Sequence, residues 1–331
     1  MLRKFNETFA VPDVCKEYIN HMVEQEEIEL VVAMDMAEFT LIDVMNKMNL
    51  SRPLAEQLIE RAYKRGILNK VNDKQATYIC TDLYTRLKYA AVFDDYENIP
   101  LEARNKIDSW YLNAFIEKHS DNFNKLREGK LDLHEASFLF AHTPSLLEQV
   151  YEVIEEADRI VAIPCDCNQL SKHRTAKKPV LYCIHFNNYA DDFLKRGLGK
   201  ALTKEECKEV VKNANKEGFM QCININFKTA GPGFICNCNP KWCYPYRAAE
   251  IMGSQSYYPL KRNVANYNSE QCISCGLCIK RCPFNAFSYG DGQIRIKGKL
   301  KKQITFDSTI CQGCGLCANT CPSKSISMIN I

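Results

Sequence analysis

Two stretches near the C-terminus carry cysteines at a spacing that can hold metal. The first is Cys272-Ile-Ser-Cys275-Gly-Leu-Cys278-Ile-Lys-Arg-Cys282-Pro283, and the second is Cys311-Gln-Gly-Cys314-Gly-Leu-Cys317-Ala-Asn-Thr-Cys321-Pro322. Both read C-x2-C-x2-C-x3-C-P. Three thiolates two residues apart wrap a tight loop around one cube of iron and sulfide, and the loop amides can then bond its sulfurs. The fourth cysteine opens a segment that carries it away to the other cube. Two [4Fe-4S] clusters are expected, with crossed ligation: Cys272, Cys275, Cys278 and Cys321 on one, Cys311, Cys314, Cys317 and Cys282 on the other. Gly276 and Gly315 give the loops backbone conformations that other residues avoid. Zinc knuckles lack the third C-x2-C step and the Cys-Pro ending, so a pair of zinc sites fits the pattern poorly.

A second set lies upstream: Cys165-Asp166-Cys167, Cys183, Cys236-Asn237-Cys238 and Cys243. In an extended segment residues i and i+2 share a face, so each C-x-C step can aim two thiolates at one ion or cluster. These six thiols exceed the four that one cubane or one zinc requires. Cys183 is expected on a strand whose His185 and Asn187 point the same way. Cys222 is expected on another strand with Asn224 and Asn226, giving the site a polar lining. Soft thiolates suit iron–sulfur clusters and zinc alike, but structural zinc usually reads as two C-x2-4-C knuckles. A third iron–sulfur cluster is the expectation, with zinc as the alternative and a wet sheet face without metal as the plain reading. Cys15, Cys80 and Cys207 are expected to be buried thiols, Cys207 on a helical stripe with Val210, Val211 and Ala214.

The C-terminal runs, within residues 265–331, resemble the bacterial dicluster ferredoxins. That resemblance implies a pseudo-twofold β-α-β fold whose clusters lie close enough for electrons to pass between them. The insert between the runs is longer than in those proteins and carries Arg295, Lys297, Lys299, Lys301 and Lys302. Alternation would place Arg295, Lys297, Lys299 and Lys301 on one face of an extended strand. This face reads either as a solvated hairpin edge guarded against aggregation or as a docking surface for an acidic redox partner. With Ile163-Pro-Cys-Asp-Cys167 and Phe234-Ile-Cys-Asn-Cys238, the whole chain resembles a group of anaerobe iron–sulfur proteins. Those join a winged-helix-like N-terminal region, a central C-x-C and C-N-C domain and a C-terminal dicluster ferredoxin. Electron transfer, often beside a larger reductase complex, is what that resemblance implies. The chain departs from the group at Asn168, usually arginine, and at Asn239, usually another cysteine.

The elements that must position these cysteines give a multidomain α+β chain. Residues 1–95 read as a winged-helix-like domain. Thr40 and Asp43 make a capping box before Leu41, Ile42, Val44, Met45 and Met48. Ser51 caps a second helix that Gly66 stops. Two short strands, Ile67–Val71 and Ala76–Cys80, join through Asn72-Asp73-Lys74. Residues 96–158 read as a mostly helical packing region, with an apolar stripe from His134 to Ala157 interrupted at Pro144. Residues 159–259 read as a small α/β cysteine-rich domain with strands at Arg159–Pro164, Val180–Phe186 and Phe219–Phe227. Its helix Thr203–Lys216 opens on a Thr203–Glu206 box. Residues 260–331 form the two-cluster ferredoxin domain.

Composition bounds the function. Eighteen cysteines in 331 residues, in a chain whose start lacks a signal-peptide layout, point to metal rather than disulfides and to a cytoplasmic, anaerobic setting. No stretch is long and apolar enough to span a bilayer. Residues 1–100 carry 12 basic against 17 acidic side chains, a balance that argues against DNA, while residues 260–331 carry 10 against 3. Glycine-rich phosphate loops and the C-x3-C-x2-C run of radical enzymes are absent. The expected function is single-electron transfer, as a carrier or an electron-input subunit, between a redox partner and the central metal site. A redox-sensing transcription regulator and an iron–sulfur reductase with catalysis at the central site are the alternatives.

Overall fold

The computed structural model describes residues 1–72, 76–131, 142–174, 181–224, 226–254, 258 and 260–331. They form two compact units. One comprises Met1–Phe115, Pro164–Val180 and Lys195–Leu198, and the other Ile116–Ile163, Leu181–Leu194 and Gly199–Ile331.

In the first unit, helix Leu41–Met48 opens where the Thr40 N–H donates to Asp43 Oδ2 at 2.8 Å. Helix Arg52–Lys64 follows, with proline in its first turn, where a missing N–H costs nothing. The chain then reverses at Gly66 (φ +74°), where an added Cβ would lie 2.4 Å from the Tyr89 ring. Strands β1 (Leu68–Asn72) and β2 (Thr77–Cys80) pair antiparallel, and Phe39 bridges to Tyr78. Asp73 and Lys74, expected in the connecting turn, lie outside the described residues.

A buried ionic knot ties the end of helix Arg52–Lys64 to helices Gln25–Met34 and Leu83–Phe93. Arg86 is fully buried. Its Nε donates to the Met22 carbonyl at 2.8 Å and its Nη1 to the Arg65 carbonyl at 2.7 Å, while Nη2 pairs with Asp94. Arg65 in turn meets the buried Glu27 at 2.8 Å and Asp94 at 3.2 Å. Arg196 supplies a second anchor, donating to the Leu68 carbonyl and to Asn69 Oδ1 while its guanidinium lies over the Tyr63 ring at 4.1 Å.

The second unit contains a six-stranded sheet of β3 (His142–Ser145), β4 (Ile160–Ile163), β5 (Cys183–Phe186), β6 (Lys200–Ala201), β7 (Met220–Asn224) and β8 (Phe234–Cys238). The order is β3-β7-β8-β5-β4-β6, and every pair is antiparallel. The expected alternation of strands and helices is present, but the sheet is that of an α+β rather than an α/β fold. One face is apolar. Ile160, Ala162, Ile184, Phe186, Ile223 and Ile235 pack against Val150, Val153 and Ile154 of helix Leu147–Glu155 and against Cys207 and Val211 of helix Lys204–Glu217.

Three local expectations need correction. The stripe from His134 to Ala157 is not one interrupted helix. Its first residues lie outside the described ones, and residues 142–145 form β3, an edge strand on which Pro144 needs no ladder N–H. Strand β5 ends at Phe186 because Asn187 adopts φ +50°. The Asn187 Oδ1 then accepts the N–H groups of Asp158 at 2.9 Å and Arg159 at 3.1 Å, so Asn187 does not extend the Cys183 face. Strand β7 ends at Asn224, whose Oδ1 accepts the Asn226 N–H at 2.9 Å, and the chain enters helix Phe227–Ala230.

The C-terminal segment repeats one motif twice. Strand β9 (Asn263–Tyr267) leads to the first cysteine loop, helix Leu277–Arg281 and strand β10 (Phe287–Ile296). Strand β11 (Lys299–Phe306) leads to the second loop, helix Leu316–Thr320 and strand β12 (Ile326–Asn330). β9 pairs with β12 and β10 with β11, both antiparallel, which is the pairing that a pseudo-twofold requires. Corresponding residues share left-handed backbone: Gly276 with Gly315, Ser274 with Gly313, and Asn285 with Lys324.

The basic insert is a hairpin rather than one extended strand. Lys297 (φ +47°) and Gly298 (φ +79°) fold it back in the two-residue turn that suits the strands' twist. Directly opposed residues share a face, so Lys299 and Lys301 stand with Ile296 and Ile294, whereas Arg295 stands opposite Leu300 on the other face, with Lys302. The sequence-based placement of Arg295, Lys297, Lys299 and Lys301 on one face is therefore wrong.

Replacing Arg86 with Met should destabilise the protein by about 3–5 kcal/mol, because Asp94 and Glu27 would keep their burial and lose a counter-charge. Urea unfolding of the full chain measures this, and a change below about 1 kcal/mol would show that the knot carries little stability.

Candidate metal centres

A small hollow in the C-terminal segment is lined by Cys272, Cys275 and Cys278 together with Cys321 from the second run, with Tyr267, Ile304 and Ile326. Polar donors address its sulfurs. The Ser274 N–H donates to Cys272 Sγ at 3.4 Å. The Ser325 and Ser323 hydroxyls lie 3.2 and 3.6 Å from Cys321 Sγ. Burial raises the Cys321 thiol, but these hydroxyls and the accompanying N–H groups outweigh it and leave the net direction downward. Burial pushes Cys278 up to about 11, and Cys272 and Cys275 add to it. Cys275 is exposed.

The other quartet is drier. Cys311, Cys314 and Cys317 are all buried. Burial raises Cys317, and Cys314, Cys311 and Cys282 raise it further. Cys282, from the first run, lies near enough to Cys314 and Cys317 for its charge to raise both. Its Sγ accepts the Ala286 N–H at 3.3 Å. Positive backbone dihedrals make each loop tight, and the closest approach is at Gly313 (φ +70°), where a Cβ would lie 2.1 Å from the Asn263 carbonyl oxygen. Each quartet has the ligand number and soft donors that one cubane takes.

The central cysteines lie on the sheet face opposite the apolar one. Cys183, Cys236 and Cys222 stand directly across from one another on β5, β8 and β7. Cys238, two residues beyond Cys236, shares their face, and Cys243 caps the helix Tyr244–Ile251 that follows. Cys238 is within hydrogen-bonding reach of Cys222, Cys236 and Cys243, which together with its burial push its pKa well up. The Tyr246 hydroxyl lies 3.7 Å from Cys222 Sγ. Cys183 turns instead to His185, whose Nε2 is 3.3 Å from its Sγ. Burial pulls the His185 imidazole down to about 4 against the opposite pull of Cys236 and Asp192, so the ring is neutral at pH 7.

Cys165 and Cys167 belong to the first unit. They are not on an extended segment: Cys165 caps and Cys167 enters the helix Asp166–Leu170, where Cys167 is a close neighbour of Tyr84. The face-sharing rule for C-x-C therefore holds for Cys236 and Cys238 and fails for Cys165 and Cys167. Sequence reasoning placed Cys222 only in the polar lining, because the register of β7 against β8, which puts it beside the C-N-C step, is not legible locally. Cys15, Cys80 and Cys207 are buried, and burial pushes each up to about 12.

Among the described residues, no three or more His, Cys, Asp or Glu side chains converge tightly enough to hold a single metal ion. That holds for the central set and for both C-terminal quartets. A cubane is gripped at its four iron corners, so its thiolates stand farther apart than those around one zinc ion.

The family of 4Fe-4S dicluster domains matches residues 271–325. The C-terminal segment is such a domain, and iron–sulfur electron transfer is the coarse function it supports. A search of the curated proteins found no match to the chain. Among the described residues, no helix is long and apolar enough to cross a membrane.

Gly313→Ala should cost the protein about four of its irons, since a methyl group cannot share space with the Asn263 carbonyl. Gly298→Ala, at a positive φ with no described atom within 4 Å of its Cβ, should keep them all. Iron analysis of the two variants checks this, and equal retention would show that the loop tolerates the methyl group.

Proposed function

We propose that the chain passes single electrons between a redox partner and a redox site in its central sheet, through two [4Fe-4S] clusters held by crossed ligation. One cluster takes Cys272, Cys275, Cys278 and Cys321; the other takes Cys311, Cys314, Cys317 and Cys282. The observation that carries this reading is the hollow whose lining joins three cysteines of one run to the last cysteine of the other. Two cubes sharing a small core in this way lie close enough for electrons to cross between them.

The exposed Cys275 marks the side where a partner's electron would enter. The basic hairpin is bound to that same loop: Lys301 Nζ donates to the Ile273 carbonyl at 3.0 Å, and the Ser274 hydroxyl donates to the Lys302 carbonyl. Lys297, Lys299 and Lys302 are exposed beside it. An acidic redox protein, alone or within a larger reductase complex, suits this surface.

The N-terminal unit has the helix, helix and hairpin order of a winged helix, and we read it as a docking element rather than a DNA reader. Three of the four cations on and just after its second helix, all but Lys64, are already engaged: Arg52 with Glu56 at 3.1 Å, Arg61 with Glu24 at 3.2 Å, and Arg65 with Glu27 and Asp94. A phosphate backbone would have to displace those carboxylates.

Crossed ligation is tested by spectra of the reduced full-length protein. Cys282→Ala should reproduce the electron paramagnetic resonance changes of Cys317→Ala and differ from Cys278→Ala. Agreement with Cys278→Ala instead would refute the crossing. For the partner surface, Lys297→Glu, Lys299→Glu and Lys302→Glu together should slow reduction by an acidic donor by about tenfold at low ionic strength, with the cluster potentials unmoved. Lys301 is left in place because it holds the loop. A rate insensitive to both salt and these charges would leave the lysines with edge protection alone.

A further inference from the structure

Cys183 and Cys236 stand directly across from one another on β5 and β8, and the ladder fixes how close they come. The Asn237 N–H donates to the Tyr182 carbonyl, and the Phe186 N–H to the Gly233 carbonyl. Every second opposed pair of an antiparallel sheet carries such bonds, and Cys183 with Cys236 falls between the bonded pairs. In an unbonded pair the Cα atoms lie about 4.5 Å apart and the side chains come closest. That separation is within the range of about 4.4–6.8 Å that a disulfide spans. Cys236 turns its own N–H and carbonyl to β7 instead, so its pairing with Cys222 is of the wider, hydrogen-bonded kind.

The surroundings of this pair suit an exchange of sulfur bonds. Cys183 and Cys236 are half-buried, whereas Cys222, Cys238 and Cys243 are buried, so a small disulfide can reach the first two and not the others. His185 Nε2 lies 3.3 Å from Cys183 Sγ, and Phe193 packs against the same ring at 4.8 Å. The His185 Nδ1 is buried without a hydrogen-bond partner, so among the described residues the ring's one hydrogen bond is to sulfur. An N–H held against a sulfur eases the negative charge that a broken disulfide leaves there. Cys238 stands within hydrogen-bonding reach of Cys222, Cys236 and Cys243, closer than the corners of a cube allow, so no cluster is placed among them.

The row of cysteines also leads back to the dicluster domain. Beyond Cys236 it continues to Cys222, whose charge reaches Cys314 of the second quartet. The two places are tied through the end of helix Lys204–Glu217, which runs into β7: Arg281 donates to the carbonyls of Lys216, at 2.6 Å, and Asn215.

We infer that Cys183 and Cys236 are a redox-active dithiol, with His185 as its positioning residue, that reduces a small-molecule disulfide. The inference rests on the proposed electron-transfer reading for its electrons and names the redox site in the central sheet. In the oxidised state one S–S bond joins the two sulfurs. One electron from each reduced cluster, with two protons from water, breaks that bond and leaves two thiols. The Cys183 sulfur then attacks one sulfur of the small disulfide, whose S–S bond breaks, and the far half leaves as a thiol with the Cys183 proton. Cys236 attacks Cys183 in the mixed disulfide, gives its proton to the second departing thiol and restores the bond between the two cysteines.

The test uses full-length protein, kept anaerobic, with its clusters reduced and the reductant removed. Glutathione disulfide should reoxidise the clusters and release about two molecules of glutathione per chain. Mass mapping of the alkylated product should find Cys183 joined to Cys236. Cys183→Ser and Cys236→Ser should each slow the reoxidation by at least about tenfold with the iron content unchanged, and Cys207→Ser should behave as the native chain. His185→Phe should keep the bridge and move its midpoint to a more negative value. A bridge between Cys236 and Cys222 would overturn the pair, and the lack of any bridge would overturn the dithiol. An unmoved midpoint in His185→Phe would remove His185 from the site. A Cys183–Cys236 bridge that forms while the clusters stay reduced would sink the electron-transfer reading and leave the dithiol standing. Native reoxidation rates in both serine variants would do the reverse.

Discussion

A thiolate kept away from water must have positive charge beside it. That constraint governs the second unit, where buried thiols stand in groups and raise one another's pKa. Cys314 at about 12 and Cys278 at about 11 would stay protonated at neutral pH by burial alone. Metal reverses this, because a coordinating thiol is deprotonated outright and its charge is shared with the ion. The folds around the cysteines therefore specify positions more than they specify charge states. Backbone geometry does that work: left-handed residues at Ser274, Gly276, Gly313 and Gly315 turn the loops tightly enough for amides to face sulfurs.

The central sheet solves a related problem with different means. Its two faces are divided by strict alternation, so Ile184, Ile223 and Ile235 fill one core while Cys183, Cys222 and Cys236 line up across the other face. The division is held in register by a buried polar row. The Asn215 side-chain N–H donates to Gln221 at 2.7 Å, Gln221 donates to Asn237 at 3.0 Å, and Asn237 donates to the Tyr182 carbonyl at 2.8 Å. A one-residue slip would leave those amides unpaired and move every cysteine to the wrong side. This row makes the thiol alignment a property of the folded sheet, independent of any metal.

What could be read in the sequence follows from how local each cause is. The Thr40 and Thr203 boxes and the stop at Gly66 depend on a few adjacent residues and have the expected geometry, and the cysteine runs are as local, lying in the stretch that matches the dicluster family. Pairings between distant strands are not local. The antiparallel sheet, the alignment of Cys222 with Cys236 and the separation of Arg295 from Lys299 and Lys301 all depend on register. Competition from side-chain to backbone hydrogen bonds misled the strand ends, where Asn187 and Asn224 each take N–H groups that a longer strand would have used. Cys165-Asp166-Cys167 misled for the same kind of reason. The C-x-C spacing is neutral between strand and helix, and the Asp166 carboxylate accepting the Cys167 N–H at 2.8 Å favours the helical turn.

One side chain both attaches the dicluster domain to the central layer and lies beside its second quartet. Arg281 satisfies carbonyls at the C-terminal end of helix Lys204–Glu217, where the helix dipole places negative partial charge. Its guanidinium also lies close enough to Cys314 for the thiol's charge to act on it. One cation thus closes a helix end, fixes the domain and lowers the cost of negative charge on the neighbouring quartet. On the other side of the same domain, Asn263 reaches Gln149 while its carbonyl excludes any side chain at position 313. The loop around Cys314 therefore packs directly on β9, which Gln149 ties in turn to helix Leu147–Glu155 of the central layer, so its position follows from that of the sheet and needs no metal to set it.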